Sequence, residues 1–83
     1  MLTFEQALRI VETRYDEPFA RDGWEDDGAF LVTPQRVVDD AERGLVENGA
    51  PWMAVDRTTG DIQTWPTLLF LDRVSGMRAA HTR

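Results

Sequence analysis

The chain predicts an α+β fold: an N-terminal helix packed on a small antiparallel sheet of about three strands, with one or two short helices. Three observations carry that expectation. "TFEQALRIVETRY" sets apolar residues at helical spacing, "AFLV" is short and β-prone, and "PWMAVDRTTGDIQTW" reads as strand, turn and strand. A chain of 83 residues has room for one modest core, so the expectation is a single compact domain over 1–83.

The first element is expected over Phe4–Tyr15. Thr3 can cap it and Gln6 completes a T-x-x-Q capping box, while Glu5 suits the positive end of the helix dipole. Phe4, Leu8, Val11 and Tyr15 form its apolar stripe with Ala7 alongside, and Pro18 ends it. "DEPFARDGWEDDG" follows, with Gly23, Gly28 and six acidic residues, and reads as a loop. Ala29–Val32 reads as a strand. Thr33-Pro34 then looks like a helix start, with Thr as cap and Pro at the first helical position. "QRVVDDAER" continues as a short helix burying Val37, Val38 and Ala41, although the two valines also suit a strand; Gly44 closes it.

Asn48-Gly49 marks a turn and Pro51 leads into a hairpin: strand Trp52–Asp56, loop Arg57–Gly60, return strand Asp61–Trp65. Gly60 supplies the positive φ such loops need, and Asp56 can accept hydrogen bonds from the loop amides. A four-residue loop sets Val55 opposite Ile62, Ala54 opposite Gln63, Met53 opposite Thr64 and Trp52 opposite Trp65. One face then carries Met53, Val55, Ile62 and Thr64, which the first helix can cover. "TLLFLDRVSG" is open between helix and strand, with Leu68, Leu69, Leu71 and Val74 as its buried candidates. Gly76 ends it, and the residues from about Ala80 are expected to fray.

The acidic charge is uneven. Residues 1–49 carry 12 acidic and 5 basic side chains, whereas 50–83 carry 3 and 4. Such a surface repels nucleic-acid phosphates and anionic lipid and favours a cationic protein partner. No apolar run approaches the roughly 18 residues of a membrane span, and the start lacks a secretory pattern, so a cytoplasmic protein is expected. Without cysteine there is no disulfide and no thiolate chemistry. His81 is the one histidine and Ser75 the one serine. Neither sits in a catalytic motif, and "DGWEDDG" lacks the spacing of a calcium loop. The sequence therefore points away from an enzyme, and no cofactor or metal is expected.

Three tryptophans remain. Trp52 and Trp65, directly across the hairpin, are read either as core or as a partly covered face that docks a partner. Trp24 lies among Asp22, Glu25, Asp26 and Asp27, a possible anchor within an acidic rim. Arg57 at the hairpin tip reads as exposed turn polarity. The candidate binding residues are thus Trp24, Glu25, Asp26, Asp27, Trp52 and Trp65.

The helix opening "TFEQALRI", with Ala7 and Ile10, and the stretch "ENGAPWMAVDRTTGDI", with Asn48, Gly49, Pro51, Val55, Asp56, Thr59 and Gly60, resemble the YrhB-like domains. These overlap an immunity-protein family of bacterial polymorphic toxin systems. The family's aromatic strand is represented here by "GAFLV" alone, so Trp24 is not its equivalent. The resemblance implies a non-enzymatic role: neutralising a cognate toxin, for which the acidic half suits a basic domain, or else a chaperone-like or housekeeping activity with no single partner. It supplies no catalytic residues. Oligomeric state is left open by the sequence.

Overall fold

The computed structural model describes residues 1–44 and 51–82. Helix α1 spans Phe4–Tyr15 as its spacing predicts, and both halves of the capping box form: Gln6 N–H donates to Thr3 Oγ1 at 3.2 Å and Thr3 N–H to Gln6 Oε1 at 2.9 Å. The helix stops at Asp16, two residues before Pro18. Asp16 turns left-handed (φ 53°) and its N–H bonds back to the Glu12 carbonyl.

Five strands form one antiparallel sheet: β1 Asp22–Glu25, β2 Ala29–Val32, β3 Trp52–Asp56, β4 Ile62–Trp65 and β5 Arg78–His81, in the spatial order β4-β3-β2-β1-β5. The β3–β4 hairpin has the expected register, Val55 to Ile62 through Trp52 to Trp65. Its loop closes as predicted. Asp56 Oδ1 accepts the amides of Thr58 and Thr59 at 2.8 and 2.9 Å, and Gly60 takes φ 80°. The turn expected at Asn48-Gly49 lies outside the described residues.

The sheet is two strands wider than expected. β1 comes from the segment read as a loop, and β5 from the tail read as frayed. Both have poor strand propensity and form by pairing. Glycine and carboxylates in β1 are held between β2 on one side and β5 on the other. Ala80, instead of fraying, is buried in the core.

Two cores sit on the two faces. On the first, Phe4, Ala7, Leu8 and Val11 of α1 pack with Phe30, Val32 and Val55, flanked by Met53 and Ile62, as the hairpin face predicts. Phe19 and Ala80 close that cluster. On the second, Ala29, Leu31, Ala54, Trp65 and Met77 pack beneath Phe70 and Val74. Those two residues belong to α3, Thr67–Ser75, which settles the open segment as helix; Gly76 caps it.

Two expectations about helices fail. α2 spans Gln35–Glu42 with Pro34, which bridges to Phe19, at its N-cap in place of Thr33, and the proline ring has no polar atom with which to make a side-chain cap bond. It buries none of Val37, Val38 and Ala41. In α3, Leu68, Leu69 and Leu71 face outward. At 100° per residue the run "LLFL" cannot share one inward stripe, and Phe70, stacked on Trp65, fixes the rotation. No helix among the described residues is long and apolar enough to cross a membrane.

Candidate functional site

The β1–β2 turn carries four of the six candidate residues. Asp26 organises it: Oδ1 accepts the Gly28 and Ala29 amides, both at 2.8 Å. Arg73, near the end of α3, then closes on the same carboxylate, Nε to Oδ2 at 2.7 Å and Nη2 to Oδ1 at 3.2 Å. Glu25 is held between Arg57 at 3.3 Å and Arg78 at 3.4 Å, while Arg78 also approaches Asp27 at 3.9 Å. Three arginines from three elements thus converge on the turn. Its carboxylates are largely spoken for within the molecule, and the outward negative field there is correspondingly reduced.

Arg57 is not the exposed tip residue its turn position suggests. Its side chain keeps 16% of its surface, lies 4.6 Å over the Phe30 ring and donates to the Asp26 carbonyl at 2.9 Å. The Arg57 N–H bonds to the Gly28 carbonyl, so the hairpin loop is stitched to the β1–β2 turn. Arg57 Nε is buried without a hydrogen-bond partner, a cost of about 1–3 kcal/mol that the ring contact and the ion pair offset.

The Arg73 hydrogen bonds, helped by the two turn amides, hold the Asp26 carboxyl down at about 2, against its ordinary 3.8. The Thr59 and Thr58 amides hold Asp56 below the usual carboxylate range in the same way. A carboxyl depressed on folding stabilises the native state above its unfolded value and loses that contribution as pH falls through the folded one. Stability is therefore expected to drop between pH 3.8 and about 2. Asp26→Asn should weaken the fold at pH 7 by about 1 kcal/mol, discounted because Arg73 is partly in solvent, and should flatten that acid limb. Urea midpoints measured from pH 2 to 7 decide this; parallel acid limbs in variant and wild type would refute it.

The tryptophans divide. Trp65 is core: it keeps 3% exposure, Phe70 stacks on it at 4.6 Å and 13°, Arg73 lies over it at 4.4 Å, and its Nε1 donates to Gln63 Oε1. Trp52, its cross-strand partner, is half-buried against the same cluster. Trp24 is the exposed one at 49%, standing between Leu31 and Ala79 on the sheet face that α3 covers. The structure therefore places all three on one face, with Trp24 apart from the other two.

On that same side, α3 presents Leu68 at 87% and Leu69 at 81% exposure, with Leu71 about half exposed. Leu68 and Leu71 lie on the flank of the helix away from Phe70 and Arg73. These leucines were expected inside. Their adjacency in "LLFL" was the available sign that some must face out. The arginine convergence left no such sign, since Arg57 and Arg73 stand 32 and 47 residues from their partners.

Acidity free of such pairing lies on α2, where, among the described residues, no arginine forms an ion pair with Asp39, Asp40 or Glu42. His81, expected in a loose tail, is fixed in β5 with Nδ1 against Asp22 Oδ1. Both side chains are largely in solvent, without the desolvation that makes a His–carboxylate pair catalytically potent. Among the described residues, no group of three or more His, Asp or Glu side chains is arranged to hold a metal ion. No protein-family model, curated protein or solved structure matches the chain.

Proposed function

We propose that this chain is a non-catalytic binding protein that holds a protein partner against the outer side of α3 and Trp24. The observation that carries the reading is the exposure of Leu68 and Leu69 on a helix whose other side is locked into the core. Leucines left in solvent on an ordered helix offer apolar area at little ordering cost, and Trp24, half-exposed on the same side of the sheet, is the residue type that anchors interfaces. The carboxylates of α2 contribute steering toward a basic partner, a role the β1–β2 turn cannot fill alone with three arginines drawn onto it.

A toxin neutralised by this chain is the specific form of the proposal, and it rests on the resemblance of the helix opening and hairpin to immunity proteins. A chaperone-like role would use the same leucines without one partner. Capture from the native cell with wild type and Leu68→Asp/Leu69→Asp as baits tests the proposal. Because both side chains lie in solvent, the two substitutions should leave the circular dichroism spectrum unchanged, and a partner retained by wild type should be lost at least tenfold from the variant. Equal retention by both baits rejects the α3 surface. Suppressed aggregation of unrelated clients with no single captured protein favours the chaperone-like role.

A further inference from the structure

The outer edge of β5 carries backbone groups aimed at solvent, and the hydrogen-bond pattern says which. Thr82 N–H donates to the Arg21 carbonyl at 3.0 Å, so Arg21 and Thr82 make a hydrogen-bonded pair. Antiparallel partners alternate between bonded and non-bonded pairs. Gly23–Ala80 and Glu25–Arg78 are then bonded pairs, while Asp22–His81 and Trp24–Ala79 are not. The N–H and C=O of Ala79 and His81 accordingly point away from β1, out of the sheet.

Natural sheets guard such edges with proline, bulges or charge. At the opposite edge, Ile62 of β4 lines an open hollow with Arg9, Ile10, Thr13 and Arg14 of α1. β5 reads Arg-Ala-Ala-His, with no proline; its two central side chains are methyl groups, and its Arg78 and His81 are drawn onto carboxylates of β1 and the β1–β2 turn. Among the described residues no element pairs with its outer side.

We propose that β5 pairs with β5 of a second copy, joining two five-stranded sheets across a two-fold axis through Ala80. In that register Ala79 faces His81 of the second copy, Ala80 faces Ala80, and Arg78 faces Thr82. Each outward N–H and C=O of Ala79 and His81 meets its complement. No like charges oppose one another and no bulky side chain keeps the backbones apart. A strand from an unrelated protein would satisfy the same backbone groups, but the small, uncharged centre of β5 already fits itself. The two-fold axis stands normal to the sheet, so both copies present α3 and Trp24 on one side. This assignment rests on the edge geometry and stands whether or not α3 is a binding surface.

A four-residue strand buries well under 1,000 Å², so the dimer is weak, with a dissociation constant on the order of 100 μM. Sedimentation equilibrium from about 10 μM to 1 mM chain should show reversible growth from the 9.5 kDa monomer toward twice that mass. Ala79→Pro removes only the outward N–H. It should keep the circular dichroism spectrum of the wild type and raise the dissociation constant at least tenfold. Because the chain has no cysteine, Ala80→Cys gives a single thiol per copy, and oxidation should produce a covalent dimer that Ala79→Pro in the same chain suppresses. A monomer at 1 mM, or a dimer indifferent to Ala79→Pro, overturns the proposal. Should Ala80→Cys fail to fold, the sedimentation comparison alone decides.

Discussion

Replacing Trp65 with alanine is expected to cost about 4 kcal/mol, a large part of the 5–15 kcal/mol that a small domain has. The ring is the floor on which α3 rests: Phe70 stacks on it, the Arg73 guanidinium lies over it, and it belongs to the cluster of Ala29, Leu31, Ala54 and Met77. Removing it leaves a cavity under the helix and withdraws the surface that sets the helix's rotation. Arg73 would then hold Asp26 less firmly, so part of the turn's order goes with it. Leu69→Ala, on the outward side of the same helix, should stay within about 0.5 kcal/mol of wild type. Urea unfolding of the two variants side by side measures the difference. Similar costs for both would mean that α3 is not seated through Trp65.

Gly23→Ala is the second large effect, at roughly 3 kcal/mol. A Cβ on Gly23 would stand 2.3 Å from the Leu31 carbonyl oxygen and 2.9 Å from Phe4 Cζ. The first neighbour is backbone in the middle of β2, and the second is the buried start of α1. Neither can withdraw without disturbing a core. The two clashes can be separated. Adding Phe4→Ala relieves the ring contact and leaves the carbonyl contact in place, so the double variant should recover little beyond the cost of its own cavity. Full recovery would assign the constraint to Phe4 alone. The glycine is thus needed for close approach, which its place in an acidic, polar run conceals.

What could be read from the residues was what local chemistry decides. The capping box, the hairpin register and the Asp56–Gly60 loop each depend on groups within a few positions of one another, and all three formed as expected. β1 and β5 were missed because each is made a strand by its neighbours: Asp22–Glu25 meets Arg78–His81 only after the chain has gone through every other element. The α3 leucines were misplaced for a related reason. Hydropathy favours burying them, yet an aromatic stack with a residue outside the helix fixed which side turned inward. Of the candidate site, Trp24 keeps its exposure, Trp65 belongs to the core, and Glu25 and Asp26 are engaged by arginines from distant segments.

The strand order also has a kinetic side. β1 to β4 follow one another as successive neighbours, β1–β2 and β3–β4 through tight turns and β2–β3 through the segment that holds α2. β5 is different: the chain leaves β4 at one border of the sheet, crosses it as α3 and arrives beside β1 at the far border. Its pairing with β1 joins residues further apart in sequence than any other strand pair of the sheet, which makes it the natural last step. Refolding should show a partly ordered species with Trp65 still quenched by water, followed by a single later phase in which its fluorescence and the amide protection of β1 mature together.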